Sequence, residues 1–511
     1  MGNSPHAVPI HILDDYSLLR VFFLYQPFLF GEDGDDFARL YGGKKEWVRG
    51  HWWYKLAHIC QRWRNIILGS ATYLGLSLVC TYGTPVADML ALSPPLPLTI
   101  DYFDENHDIT EDEEGAILAL KYRDRVRRVR LWMSPTNLQK LIGDADEEYP
   151  SLEYLIIVPP DKDTSSILIL PETLQAPHLR HLTLVGFALP IRSRLLTTAV
   201  GLVSLCLVMN DPSTYFHPNS LLRWLSFMPQ LEILSIFFLT AVPNREIERQ
   251  LTHTPLIAPV TLPNLSHFRF RGVSAYLEAL VHRTTTPRLE KFIIYFFDRP
   301  TFFVPCLVQF MSTLEDLWFE SAKFWFYDKR VYVEVYHRGN SESGTYFLSM
   351  NVFCYHLDWQ VSSMAQISDS LSQLFSAVEH LTLEHKVHHL SSEEHNEVDR
   401  TEWRKLLRPF RNVKTLRIDD GLVEQLSRAL ALEDGELPSE LLPELQELTY
   451  FGRGNTGDAF TSFIDVLQDA DRAITLVRRS PSPDSVRVPP ECSEPSSITS
   501  ASVEAENDFD A

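Results

Sequence analysis

The sequence has few cysteines, and none of them form a closely spaced pair. Its six cysteines are spread over 511 residues without a single CxxC. A disulfide framework or a cysteine-rich zinc site needs cysteines at matched, short spacings. The sequence therefore argues against both kinds of site and favours a reducing compartment.

Basic residues are also scarce. Lys and Arg number 46 against 67 Asp and Glu, which gives a net charge of −21. Proteins that bind the phosphate backbone of nucleic acids concentrate Lys and Arg on one surface. We therefore expect no nucleic-acid partner.

Long uninterrupted apolar runs are missing as well. The most apolar stretch, KFIIYFFDRPTFFVPCLVQFM, is broken by Asp298, Pro300 and Pro305, whereas a membrane-spanning helix needs about 20 apolar residues. No Lys or Arg precedes Arg20, so the charge order of a secretory signal is absent. We expect a soluble protein of the cytoplasm and/or nucleus that contacts no membrane.

What the chain does contain is a repeated motif. The pattern apolar-x-x-apolar-x-apolar occurs eleven times, from VRRVRL at Val126 to LQELTY at Leu445, and copies start 23 to 35 residues apart except for the 64 residues between Leu314 and Val378. This period and the strand-like end of each copy are typical of leucine-rich repeats, and segments such as SAYLEALVHR have helical spacing. The pattern predicts an α/β solenoid, with a parallel sheet and helices on the convex side. An ordinary α/β domain with Leu-rich strands is the alternative.

The repeat divides the chain into three regions. Residues 1–93 lack it and are predicted to form a small helical domain with a loop insertion near 31–46. Residues 94–477 form the predicted solenoid, in which period-2 alternation around GNSESG indicates a hairpin insertion near 328–358. Residues 478–511 combine Ser, Pro and acidic residues, as disordered tails do. Two serines of this tail precede proline and can accept a regulatory phosphate: Ser480 and Ser482.

Two stretches of the first region carry a family resemblance. ILDDYSLLRVF and WWYKLAHICQRWRNIILGS resemble the F-box, most sharply at Ile59-Cys60-Gln61-Arg62-Trp63. Over most of residues 8–477 the sequence resembles fungal F-box proteins that continue into irregular leucine-rich repeats. The resemblance implies a non-enzymatic adaptor without cofactor or metal, whose F-box docks on the Skp-type adaptor of a cullin-RING ubiquitin ligase and whose repeats hold a protein substrate. The residues that would meet the adaptor are Leu13, Leu18, Leu19, Phe22, Ile59, Cys60 and Trp63.

A different function remains open for the same residues. Cys and Trp are often core residues, and a solenoid needs a capped end. The chain is therefore alternatively a repeat-based interaction scaffold whose degenerate F-box only caps the solenoid.

The middle position of each repeat's strand predicts the substrate-binding surface. Side chains alternate along a strand, so the residue between the last two apolar positions faces away from the core. We expect the preferred contact region to include Arg269, Ile293 and Trp318. The complete set is Arg130, Ile156, Thr183, Cys206, Ser235, Arg269, Ile293, Trp318, Thr382, Arg417 and Thr449.

Three other patterns could indicate chemistry but have simpler interpretations. In FGRGNTGDAF, Gly452, Gly454 and Gly457 have the GxGxxG spacing of a dinucleotide-binding loop. We predict that this segment is a turn in the last repeat. The minor alternative is that the protein is a nucleotide-binding enzyme that uses this loop. Five histidines lie between 380 and 395 without the HExxH order of a zinc protease, and we predict an exposed polar loop. The basic run at 121–130 predicts a solvated face or a surface for an acidic partner. The five histidines are His380, His385, His388, His389 and His395.

Overall fold

The chain folds into two compact units, each described here by itself. The computed structural model describes residues 12–26, 52–103, 113–133, 137–139, 141, 148–159, 168–239, 258–297, 304–314, 319–337, 346–386, 398–431, 441–451, 460–469, 472 and 474–479. One unit comprises 1–79, 91–98 and 482–511, and the other 80–90 and 99–481. The loop insertion predicted near 31–46 and the tail after Arg479 lie outside the described residues.

Three described helices form the smaller unit: α1 (Asp15–Tyr25), α2 (Trp52–Ala57) and α3 (Gln61–Gly69). Helix α1 begins after Asp14, whose carboxylate accepts a hydrogen bond from the Ser17 backbone N–H at 2.7 Å. Such a cap satisfies one of the free N–H groups in the first turn. At the other end, the Gln26 side-chain amide donates to the Leu74 carbonyl at 2.7 Å and ties α1 to the loop after α3.

The remaining chain alternates strands and helices. Its first half contains β1 (Leu78–Thr81), α4 (Val86–Leu92), β2 (Leu98–Tyr102), α5 (Glu113–Leu120), β3 (Val126–Trp132), β4 (Tyr154–Val158), β5 (Leu168–Ile169), β6 (His181–Val185), β7 (Phe187–Ala188), α6 (Arg194–Thr198), β8 (Ser204–Met209), α7 (Pro218–Leu225), β9 (Ile233–Phe238) and β10 (Val260–Thr261). Its second half contains β11 (His267–Gly272), α8 (Ser274–Val281), β12 (Thr284–Thr285), β13 (Lys291–Phe296), α9 (Pro305–Ser312), β14 (Phe319–Tyr327), β15 (Arg330–His337), β16 (Leu348–Phe353), α10 (Leu357–Ser370), α11 (Ser372–Phe375), β17 (His380–Lys386), α12 (Arg400–Leu407), β18 (Thr415–Ile418), α13 (Val423–Leu430), β19 (Glu447–Phe451), α14 (Thr461–Asp469) and β20 (Thr475–Arg479).

Sixteen of the described strands form one large sheet. The strand order is β1-β2-β3-β4-β6-β8-β9-β11-β13-β16-β15-β14-β17-β18-β19-β20, and most neighbours pair in parallel. The prediction of an α/β fold with a large, mostly parallel sheet is therefore confirmed. β20 includes Arg478 and Arg479, so the last strand extends two residues beyond the expected end at 477.

The antiparallel part of the sheet lies between two parallel neighbours. β15 pairs antiparallel with both β14 and β16, while β16 runs parallel to β13 and β14 parallel to β17. The sequence motif suggests that the strand after Leu314 follows β13 in the sheet. Instead, β16 and β15 separate β13 from β14, because the inserted strands supply the ladder partners of both. The extra strands are thus part of the sheet.

The two faces of the sheet differ in chemistry because side chains alternate along each strand. On the apolar face, residues such as Leu182 and Leu184 are almost completely buried, and Phe268 of β11 stacks on Phe292 of the adjacent strand β13, with ring centroids 5.0 Å apart. Helices pack against this face, as shown by the 5.9 Å contact between Phe292 and Phe310 of α9. We call the opposite side, which carries the middle positions of the repeats, the polar face.

The buried amide of Gln360 on α10 holds the antiparallel strands to the helical layer. Its Nε2 donates to the carbonyl of Tyr327 at 2.7 Å and to that of Cys354 at 2.9 Å. These carbonyls follow β14 and β16, so one side chain ties the ends of two strands to the helix. A buried carbonyl without a donor is costly, which explains why a long polar side chain is buried at this position of the helix.

His217 caps helix α7 and makes its stability sensitive to pH. Its Nδ1 accepts a hydrogen bond from the Asn219 backbone N–H at 3.1 Å, and burial lowers the pKa of its imidazole below the ordinary 6.5. The native state then binds fewer protons than the unfolded state below about pH 6.5, so this contribution to stability is present above that pH and lost as the pH falls towards the lower, folded-state pKa.

We expect His217→Asn to reduce the loss of thermal stability between pH 7 and pH 5. Asn is a good N-cap acceptor but does not titrate. Thermal unfolding at several pH values measures the effect, and the carboxylates titrate equally in both proteins. An unchanged pH dependence would show that protonation of His217 does not affect folding.

Candidate protein-binding surfaces

Helix α1 is apolar on both sides, and its two sides have different environments. Leu18 and Phe22, one turn apart, are 0 % and 1 % exposed, whereas Tyr16 and Leu24 are 78 % and 60 % exposed. Residues four apart share a helix face. Leu18 and Phe22 therefore form the inner face of α1, and Tyr16 and Leu24 belong to an outward face.

The inner face of α1 packs on helix α3. The Phe22 and Trp63 rings meet edge to face with centroids 4.9 Å apart. Arg62 reinforces this contact, because its guanidinium donates to the Asp15 carboxylate at 2.7 Å and to the Leu13 carbonyl at 2.6 Å. Sequence reasoning did not select Arg62 as a site residue, although the Asp14-Asp15 pair at the start of α1 was a usable signal for a basic partner.

The residues of the predicted adaptor contact differ in accessibility. Ile59 is 58 % exposed and Cys60 is exposed. Leu13, Leu19 and Trp63 are half-buried, while Leu18 and Phe22 are buried within the unit. The structure thus brings members of this set together around the α1–α3 contact, and it leaves Ile59 and Cys60 most open to a partner. The buried Leu18 and Phe22 serve the packing of α1 on α3, and they thereby position the more accessible residues of the set.

An exposed apolar strip on α1 was missing from the predicted set. Large apolar side chains are exposed at and just before this helix, and Ile59 is exposed as well. Exposed apolar side chains that are concentrated in one region are typical of an interaction surface. Arg20 lies within the strip, with its guanidinium carbon 5.7 Å from the centre of the Phe23 ring. The strip consists of Ile12, Tyr16, Val21, Phe23, Leu24 and Tyr25. We call these residues together with Ile59 the docking face.

The middle residues of the repeats line up across the polar face as the motif predicts. Arg130, Ile156, Thr183, Cys206, Ser235, Arg269 and Ile293 are register partners from strand to strand. Beyond the antiparallel strands, the row continues through Thr382, Arg417 and Thr449. The regular register places chemically different side chains in one line across the sheet.

The three predicted substrate contacts are in different situations. Arg269 and Ile293 are neighbours, and they are only 7 % and 4 % exposed. Trp318 lies outside the described residues, and the strand that follows it, β14, is separated from β13 by two others. On the described polar face, the half-exposed large side chains instead gather at the antiparallel strands.

A cysteine and a histidine meet beside a glutamate at the start of helix α9. The Cys306 sulfur is 3.6 Å from His282 Nδ1. Both Glu278 oxygens, however, accept backbone N–H groups of α9, from Cys306 at 2.7 Å and Leu307 at 2.8 Å. Burial first, and then the Glu278 carboxylate, raise the pKa of the Cys306 thiol to about 11. At neutral pH the sulfur therefore lacks the thiolate form that a catalytic cysteine needs.

We expect Glu278→Gln to make Cys306 more reactive. Removing the carboxylate lowers the pKa of the thiol, and each unit of that change raises the thiolate fraction about tenfold. Iodoacetamide labelling at pH 8.5, followed by peptide mass spectrometry, should show an increase of about threefold or more. The exposed Cys60 in the same molecule is the internal control. An unchanged rate at Cys306 would mean that Glu278 acts only as a helix cap.

The other patterns of the sequence form no site in the described part of the chain. His380 and His385 are five residues apart on β17, so their side chains lie on opposite faces. His388, His389 and His395 lie outside the described residues, as do Gly452, Gly454 and Gly457. Among the described residues, no group of three or more His, Cys, Asp and Glu side chains is arranged to hold a metal ion.

Comparison with known proteins adds no assignment. The chain matches none of the protein-family models, and no curated protein matches it significantly. No helix in the ranges described above has both the length and the apolar character needed to cross a membrane.

Proposed function

We propose that this chain is the substrate-recognition subunit of a Skp–cullin–F-box type ubiquitin ligase. The smaller unit docks on a Skp-type adaptor, and the sheet-bearing unit binds a protein substrate. The observation that carries the proposal is the docking face, because its exposed apolar side chains lie in or directly after the stretches that resemble an F-box. Apolar patches of this kind are typical of protein interfaces.

The proposed fold of the larger unit is an irregular leucine-rich-repeat solenoid. The sequential order of the parallel strands and the continuous register of the middle residues support it. Such stacking gives neighbouring repeats a shared core and a shared outer row of side chains. A ligase subunit of this type acts in the cytoplasm and/or nucleus, so we propose that location.

A second function is a repeat-based interaction scaffold whose degenerate F-box recruits no ligase. The packing of Leu18, Phe22 and Trp63 on one another favours it, since these family-like residues already serve the interior of the smaller unit. The minor alternative, a nucleotide-binding enzyme, depends on the GRGNTG segment outside the described residues.

Copurification with a purified Skp-type adaptor separates these functions. We expect a one-to-one complex on size-exclusion chromatography if the chain is a ligase subunit. A scaffold would elute without the adaptor at every concentration. Nucleotide binding in a titration with ATP and NAD would favour the enzyme.

A further inference from the structure

Three aromatic side chains form a stacked platform on the polar face of the antiparallel strands. The Trp325 and Tyr332 rings stack with centroids 4.6 Å apart, and Tyr332 stacks on Tyr327 at 5.4 Å. The two tyrosine hydroxyls are 3.2 Å apart, and Trp325 Nε1 donates to the Glu384 carboxylate at 3.1 Å. All three side chains are half-buried, so part of each ring is open to solvent. The platform is therefore held rigidly yet remains accessible.

Basic side chains surround this platform. The Arg330 guanidinium carbon lies 5.5 Å from the Tyr327 ring centre, and Lys323 Nζ lies 5.1 Å from that of Tyr336. Lys386 Nζ is 3.2 Å from Glu384 Oε2. These three cations are half-exposed and lie on neighbouring strands.

The charge of this region is opposite to that of the chain. On the described polar face of strands β11, β13, β16, β15, β14 and β17, the basic residues are Arg269, Arg271, Lys291, Lys323, Arg330 and Lys386. The acidic residues on the same face are Glu334 and Glu384, and each already has a partner: Glu334 accepts from the Tyr336 hydroxyl at 2.5 Å, and Glu384 pairs with Lys386. A basic surface on a chain of net charge −21 attracts acidic partners, while the like net charges of two copies of the chain repel each other.

We propose that this surface binds an extended, Asp/Glu-rich segment of a protein substrate. The inference rests on the proposed function and deepens it by naming the substrate class. Six adjacent strands span roughly 24 Å, which an extended peptide of about eight residues crosses. Its carboxylates pair with Lys323 and Arg330, and its backbone and apolar side chains lie on the aromatic platform.

The test is fluorescence-polarisation binding of a fluorescein-labelled Asp/Glu-rich peptide of about ten residues to the full-length chain. The salt concentration is about 0.15 M, where exposed charges farther apart than about 8 Å are screened. We expect saturable binding by the wild type and about a tenfold loss for Lys323→Gln with Arg330→Gln, since each surface pair contributes up to about 1 kcal/mol. The matched control is Lys405→Gln with Arg428→Gln, which removes the same charge from exposed positions on α12 and α13.

Each alternative ligand gives a distinct result. Equal loss in both double variants would overturn the proposal, because only net charge would then matter. Preference for an Asn/Gln peptide, for a phosphoserine peptide without Asp and Glu, or for a single-stranded oligonucleotide would also overturn it. Adaptor capture without acidic-peptide binding would refute this inference alone, whereas peptide binding without adaptor capture would refute the ligase function and leave the surface assigned.

Discussion

Replacing Ile59 by Asp is expected to weaken adaptor binding about 30-fold or more, which corresponds to about 2 kcal/mol. In the proposed interface the substitution would bring a carboxylate among apolar side chains, where it loses its hydration without gaining a partner. Ile59 is 58 % exposed in the free chain, so the change should leave the free energy of unfolding within about 0.5 kcal/mol. Surface plasmon resonance with immobilised adaptor measures the affinity.

The chain offers a closely matched control for this experiment. Ile169 on β5 is also 58 % exposed, and it belongs to the larger unit. Ile169→Asp should therefore bind the adaptor like the wild type. Leu24→Asp, on the exposed strip of α1, should lose affinity as Ile59→Asp does. If Ile59→Asp and Leu24→Asp both bound the adaptor with wild-type affinity, the docking face would not be the adaptor-binding surface.

Leu18→Asp tests a different property of the same helix. Leu18 is fully buried, so a carboxylate at this position would disrupt the packing of α1 on α3 before any partner is reached. Loss of adaptor binding in this variant would carry no information about contact. Circular dichroism of the variant should show the loss of helix, which distinguishes it from Ile59→Asp.

The sheet could be predicted from the sequence because the same apolar-x-x-apolar-x-apolar pattern occurs in each of its repeats. Each Leu-x-Leu ending fixes which side chains face the helices, and a shift of register by one residue would expose them. Arg130, Thr183 and Ser235 therefore fall into one row as expected. The position of the antiparallel strands could not be predicted, since period-2 alternation indicates a strand and does not identify its neighbours.

The docking face was harder to predict for a related reason. The sequence DYSLLRVFFLY has large apolar residues on every side of α1, so periodicity cannot separate the buried Leu18 and Phe22 from the exposed Tyr16 and Leu24. The partner helix α3 decides between these faces, and only the folded unit shows where it packs. Long-range contacts such as Gln360 to Tyr327 and Cys306 to His282 likewise have no local signal.

Trp403 is expected to be the most sensitive position of the larger unit. Its side chain on α12 is completely buried and meets Phe326 of β14 edge to face, with centroids 5.5 Å apart. Its Nε1 also donates to the Gln425 side chain on α13 at 3.1 Å. Removing a buried Trp typically costs about 3–5 kcal/mol because of lost burial and the cavity left behind.

We therefore expect Trp403→Ala to lower the free energy of unfolding of the larger unit by about 3–5 kcal/mol. The control is Trp359→Ala, because Trp359 on α10 is half-exposed. This control should lower the free energy of unfolding by less than about 1 kcal/mol. In a solenoid each repeat depends mainly on its neighbours, so hydrogen exchange should accelerate first in β14, β17 and β18 and later in β4 and β6. Adaptor binding through the smaller unit should persist in the same sample. Uniform acceleration across all strands would instead show that the sheet unfolds as one cooperative block, and that the repeats do not behave as separate solenoid units.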